Sequence, residues 1–257
     1  MSVSSSMSAL GRPDAGWFLS LYPDAGEAGG SFVSSSRPTR SGWVPGTPAV
    51  DPARSRQEAA RRAQSKVRRY CAANRLNRMG SMTYAGAGVH DPLVVRHDVG
   101  LFFRSLRSAL GGRPLPYVWV PEWHKTDHGL HLHFAVGQYV NYRLIRSTWG
   151  HGFINIKRLS DLPVGSTTLH EARNAAGYLS KYISKSFDAD DSSRAARLHR
   201  YDVAQGFQPK VRRLRGRWSG EVLAAANTVM GAQPVISWSS AEAEDWQGPP
   251  AVWFAWD

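Results

Sequence analysis

The segment from Tyr117 to Val136 constrains this chain more than any other. Leu130, Leu132, Phe134 and Val136 alternate with His131, His133 and Ala135, the period of a strand with one face in a core. Residues two apart share a face, so both imidazoles point the same way. Upstream, Trp119, Pro121 and Trp123 alternate with Val120, Glu122 and His124. A four-residue turn over Thr126–Gly129 would set Lys125 against Leu130, His124 against His131 and Glu122 against His133. That register collects Glu122, His124, His131 and His133 on one side and leaves the indoles and aliphatic residues on the other. A slip of one residue would turn Glu122 away. Two imidazoles and a carboxylate make a divalent-metal site with open coordination positions. The plain alternative is a pair of histidines on a solvated sheet face.

The 257 residues carry a formal net charge of +12, with a pI near 10.2, which favours a polyanionic partner. Ten tryptophans interleaved with this charge suit single-stranded nucleic acid, where bases stack and phosphates pair with cations. Cys71 is the only cysteine, which excludes an intramolecular disulfide and a cysteine zinc cage. No apolar run approaches the roughly 20 residues that span a bilayer, and no signal peptide is expected. The expectation is a soluble, cytoplasmic protein with no membrane partner.

Residues 1–55 are rich in Ser, Gly and Pro and read as a disordered leader, with a short docking segment around Trp17. A helix is expected from Asp51-Pro52 to Ala73. Its Arg61, Arg62, Lys66, Arg68 and Arg69 suit either a solvated face or phosphate contacts. A short strand follows over Met79–Tyr84, then a helix over Val94–Leu110 ended by Gly111-Gly112, then the hairpin. Beyond it come a short helix (Asn141–Trp149), a strand (Phe153–Lys157) and a helix (Leu169–Phe187) opened by a capping box of Thr168 and Glu171. A basic, irregular stretch contains Arg212, Arg213 and Arg215, and a helix over Glu221–Met230 leads to a Trp-rich tail. The expected class is α+β, a central antiparallel sheet flanked by helices. The expected domains are the leader, a catalytic domain over 56–217, and a tail over 218–257.

A second constellation lies in the helix over Leu169–Phe187. Tyr178 and Tyr182 are four apart, as are Lys181 and Lys185, so each pair stacks along one helix face. Ala172, Ala176, Leu179 and Ile183 form the buried stripe, with the tyrosines at its border. A phenolate is a nucleophile toward a phosphodiester, and a nearby cation favours it. The plain alternative is a pair of amphipathic tyrosines at a core boundary.

Together these motifs resemble the HUH endonucleases, and among them the rolling-circle replication initiator (Rep) proteins, over about residues 76–215. Met82-Thr83-Tyr84 resembles the first family motif, a strand beneath the site. His131-Leu132-His133 resembles the second, His-hydrophobic-His. Tyr178-Leu179-Ser180-Lys181 resembles the third, Tyr-x-x-Lys, which Tyr182-Ile183-Ser184-Lys185 repeats. Glu122 matches the slot of a third metal ligand, nine positions before His131. A doubled tyrosine is similar to initiators of small single-stranded phages and some plasmids.

The resemblance implies Mg²⁺ or Mn²⁺ held by Glu122, His131 and His133, and attack by Tyr178 or Tyr182 on single-stranded DNA at a replication origin. The product would be a 5′-phosphotyrosine and a free 3′-OH, with Lys181 and Lys185 orienting the phosphate. His124 is left outside the ligand set. No Gly-x-x-x-x-Gly-Lys-Ser/Thr loop is present, so unwinding is assigned to a host helicase. The competing readings are a transposase or mobilisation relaxase, and a non-catalytic basic nucleic-acid-binding protein.

Overall fold

The computed structural model describes residues 15–34, 49–158, 167–188 and 200–257. In chain order its elements begin with β1 (Gly16–Tyr22), β2 (Glu27–Val33), α1 (Pro52–Ala73), β3 (Arg78–Tyr84), α2 (Pro92–Ala109), β4 (Tyr117–Trp123) and β5 (Leu130–Val136). They continue with α3 (Tyr142–Trp149), β6 (Gly152–Arg158), α4 (Thr168–Asp188), β7 (Asp202–Val203), β8 (Arg212–Gly216), α5 (Ser219–Met230), β9 (Ile236–Ser239) and β10 (Ala251–Ala255). Every strand pairing in the two sheets is antiparallel, and helices flank them, so the class is α+β. Among the described residues no helix is long and apolar enough to cross a membrane.

The chain divides into two compact units, Pro48–Pro209 and a discontinuous one made of Met1–Thr47 with Lys210–Asp257. Boundaries set at residues 55 and 217 therefore move to 47/48 and 209/210. Within the expected leader, Gly16–Val33 instead forms the β1–β2 hairpin, turned at Gly26, whose φ is 60°. The rest of that leader, residues 1–14 and 35–48, lies outside the described residues.

In the unit Pro48–Pro209 the sheet order is β6-β3-β5-β4-β7. Alternation along β4 and β5 gives it two different faces. Trp119, Leu130, Leu132, Phe134 and Val136 pack with Met82 and with Val95, Val99, Phe102 and Leu106 of α2. Each fully buried Leu or Phe of this layer contributes roughly 1.5–3 kcal/mol. On the opposite face Val118, Val120, Ala135 and Met79 lie under Val67, Tyr70 and Cys71 of α1 and Ala175, Ala176, Leu179 and Ile183 of α4.

The helices start where the chain supplies caps. Asp51 accepts from the Arg54 N–H, Asp91 from Leu93 and Asn141 from Arg143, and Pro52 and Pro92 occupy first helical positions that need no donor. The expected Thr168–Glu171 box is replaced. Thr167 Oγ1 accepts from the His170 N–H, and Glu171 turns inward to take a hydrogen bond from Asn77 Nδ2. Glu171 is only 8% exposed, so its carboxylate serves the interior rather than the helix end.

Gly80 of β3 shows how closely the α2 layer is packed. It faces Phe134 across the β3–β5 pair, and a Cβ there would enter the Phe134 ring and lie 2.8 Å from the Asn155 carbonyl oxygen. Gly80→Ala is expected to lower stability by about 1–3 kcal/mol through overpacking. Urea unfolding measures this, and an unchanged midpoint would refute the packing argument.

Candidate metal centre and tyrosine helix

The β4–β5 ladder pairs Glu122 with His131, Val120 with His133 and Trp123 with Leu130. The expected register is thus corrected by two residues, with the connecting loop extended to residues 124–129. His124 N–H donates to the Gly129 carbonyl at 2.8 Å and closes the loop. Gly129, with φ 76°, bridges Val89, whose carbonyl a Cβ at this position would strike. Only glycine fits that approach, and it pins the hairpin to the loop after β3. A two-residue slip preserves the face, so Glu122 remains with the histidines.

Three atoms converge on that face. His133 Nε2 lies 2.9 Å and His131 Nε2 3.0 Å from Glu122 Oε2, and the two nitrogens are 3.1 Å apart. Neighbouring ligands of an octahedral ion held at about 2.1 Å lie about 3.0 Å apart, so the three atoms match one face of such an octahedron. Two facing imidazole nitrogens and one carboxylate oxygen cannot all be satisfied by the protons available to neutral rings, whereas a cation between them satisfies all three lone pairs. Burial pushes the His131 and His133 imidazoles below their ordinary value, which keeps them in the neutral, ligating form. Burial works against ionisation of Glu122, but hydrogen bonds from Lys185 and His133 outweigh it and hold the carboxyl below its usual range. His124 lies outside this triangle. Its Nδ1 is 2.7 Å from Thr126 Oγ1, and its ring centroid is 5.4 Å from that of His131.

Helix α4 brings the tyrosines to the same place. The Tyr182 ring stacks on His133, centroids 3.7 Å apart at 16°. Its hydroxyl donates to Tyr178 Oη at 2.8 Å, while Tyr178 is 42% exposed. Burial and that hydrogen bond push the Tyr182 phenol above its ordinary value. Lys185 Nζ sits 2.8 Å from Glu122 Oε1 and 5.1 Å above the Tyr182 ring centroid, and Lys181 Nζ lies 5.8 Å from that of Tyr178. Glu122 thus uses one oxygen on the histidines and the other on α4. Gln64 of α1 donates to Ser184 Oγ of α4, so α1 backs the tyrosine helix with a polar link as well as an apolar stripe.

The cations expected on DNA separate. Arg61, Arg62 and Lys66 are exposed on α1, with Arg62 paired to Glu58, whereas Arg68 and Arg69 are half-buried. Arg212, Arg213 and Arg215 are exposed on β8, in the other unit. Sequence reasoning missed three residues on the histidine face of the sheet. Ser81 pairs directly with His133, Asn155 pairs with Ser81, and Phe153, 69% exposed, pairs with Thr83. The alternation of Phe153 with the inward Ile154 was the available signal.

Residues 77–187 match the family model of the replication-associated protein ORF2. No curated protein and no solved structure matches the chain. The matched span contains β3, the Glu122–His131–His133 hairpin and both tyrosines of α4. Through that domain the chain belongs to the replication-associated (Rep) proteins of the ORF2 family.

Proposed function

We propose that the chain initiates rolling-circle DNA replication by metal-dependent, sequence-specific nicking and joining of single-stranded origin DNA through a covalent 5′-phosphotyrosine. The observation that carries this reading is the stack of Tyr182 on a histidine of a three-donor metal face, with Tyr178 in hydrogen-bond contact. The catalytic unit is Pro48–Pro209. Glu122, His131 and His133 hold Mg²⁺ or Mn²⁺, which when bound would polarise the scissile phosphate. Oxygen and nitrogen donors in a facial set suit either ion.

A tyrosine phenolate attacks the phosphorus. A new bond joins its oxygen to phosphorus, the bond from phosphorus to the 3′ oxygen breaks, and that oxygen takes a proton to leave a free 3′-OH. Tyr178 is the first nucleophile in this reading, because its hydroxyl is the more exposed of the two and accepts the Tyr182 hydrogen bond. Tyr182, packed on His133, makes the second attack that joins the ends. Lys181 and Lys185 neutralise charge on the phosphate, with Lys185 exchanging its Glu122 contact for it. Arg61, Arg62 and Lys66 on α1 contact the backbone, and Phe153 stacks on a base. DNA unwinding falls to a host helicase.

Incubation with origin-strand oligonucleotides and Mn²⁺, read on a denaturing gel, is expected to give a covalent protein–DNA band. Tyr178→Phe with Tyr182→Phe together should abolish it while DNA binding persists; an adduct surviving the double change would sink the nucleophile assignment. Of the single changes, Tyr178→Phe should remove the first cut and Tyr182→Phe only the rejoining step.

The metal has its own readout. Mn²⁺ should raise the melting temperature of the wild-type chain, and His131→Ala with His133→Ala should remove that rise. Nicking that continues in excess chelator would take the ion out of the mechanism.

A further inference from the structure

The discontinuous unit Met1–Thr47 with Lys210–Asp257 contains a five-stranded sheet in the order β8-β1-β2-β10-β9. One face is sealed: Leu19, Leu21, Ala28, Val252 and Phe254 pack against Val222 and Ala226 of α5. The other face carries a different set of side chains, fixed by the register. Arg213 pairs with Ser20, Ser20 with Gly29, Gly29 with Trp253, and Trp253 with Trp238, a single row across all five strands. At about 4.8 Å per strand the row is roughly 19 Å long. The adjacent row sets Arg215 against Phe18 and Phe18 against Ser31.

From these rows we infer that the open face of this sheet is a second binding surface for single-stranded DNA, with bases stacked toward Trp253 and Trp238 and phosphates toward Arg213 and Arg215. This rests on the nucleic-acid part of the function proposed above and extends it to residues outside the matched domain.

The side chains fit that occupant in three ways. The aromatic rings are partly open: Trp238, Trp253 and Phe18 are half-buried, and Trp246, 41% exposed, stands edge-on to Trp238 with centroids 5.3 Å apart. Between the indoles and the arginines the floor is made only of Ser20, Gly29 and Ser31, so a flat ring meets no bulky side chain there. The arginines are held in place: Arg213 donates to Ser20 Oγ at 2.8 Å, and the Arg215 guanidinium lies 4.5 Å over the Phe18 ring. A guanidinium laid on an aromatic ring presents its own plane and its donors outward, which suits both a base and a phosphate.

Charge orients the strand. Lys210, Arg212, Arg213, Arg215 and Arg217 line the β8 edge, whereas Glu242, Glu244 and Asp245 lie in the connection between β9 and β10. The polyanionic backbone therefore runs along β8, and the bases reach inward to the indoles. Cations on an edge strand also discourage strand addition. That accounts for charge at β8, but not for Arg213 and Arg215 sharing a face with Phe18 and two tryptophans. Arg212, by contrast, pairs with Leu21 and so falls on the α5 face.

The test uses the full chain in excess chelator with a labelled single strand of about 30 nucleotides, followed by fluorescence anisotropy. Arg213→Gln with Arg215→Gln should weaken binding about tenfold and reduce the slope of log affinity against log salt by about 1.4, or ~0.7 per phosphate contact. Oligothymidine should quench the wild-type tryptophan fluorescence, and Trp238→Phe with Trp253→Phe should remove most of that quenching while keeping an aromatic at each position. Unchanged affinity and slope in the arginine variant, with its circular dichroism intact, would overturn the proposal. So would the absence of quenching in the wild type, or an equal loss of binding to duplex DNA. Nicking of a short origin oligonucleotide separates this from the enzyme reading. The arginine variant should still nick, and a wild type that binds through this face but never nicks would defeat the nuclease and leave the surface standing.

Discussion

The Glu122 carboxylate joins the two parts of the candidate site. One oxygen lies within 3.0 Å of both histidine nitrogens on β5, and the other takes a charge-assisted hydrogen bond from Lys185 on α4. The strand that presents the histidines and the helix that presents the tyrosines are therefore tied through one side chain. Because the side chain is largely buried, shortening it would leave two clustered imidazoles and an ammonium without their counter-charge. A cation in the triangle and Lys185 both draw on the same carboxylate, so ion binding and the position of Lys185 are coupled by construction.

That coupling needs α4 to lie close to the sheet. Ala172, Ala175 and Ala176 are fully buried, and their small side chains allow the helix to approach. Val67, Tyr70 and Cys71 of α1 close the layer from behind. The Cys71 thiol, with no exposure at all and pushed up by burial, is packing rather than chemistry. The basic helix α1 thus has a structural duty along one stripe and offers its cations only on the opposite side. An arginine-rich helix read from composition alone merges those two roles.

Strand alternation made the site legible. His131 and His133 had to share a face, and Tyr178 and Tyr182 had to share a helix side, whatever the tertiary structure did. Exact pairing was not legible, because it depended on Gly129 meeting Val89, a contact between two loops well separated in sequence. Face assignment survived because the register moved by an even number of residues. The Thr168–Glu171 box failed for a related reason. A buried Asn77 competed for the carboxylate, and local spacing carries no information about such a partner.

The N-terminal hairpin was hidden by composition. Trp17, Leu19 and Leu21 do alternate with Phe18, Ser20 and Tyr22, but β2 is Glu-Ala-Gly-Gly-Ser-Phe-Val, too small in its side chains to read as a strand. Its core comes from elsewhere. Val252 and Phe254 on β10 and Val222 and Ala226 on α5 are supplied by the far end of the sequence. A segment that buries its apolar face only against distant sequence looks unable to fold when read locally, because the partner that repays its ordering entropy is missing from the window. The Trp-rich tail shows the same thing from the other side: its tryptophans are unexplained until β2 provides Gly29 beneath Trp253. Gly29 costs strand propensity, yet its missing side chain is what lets the indole lie across the sheet. The same small residues that made the leader look structureless leave the open face shallow enough for a planar ring.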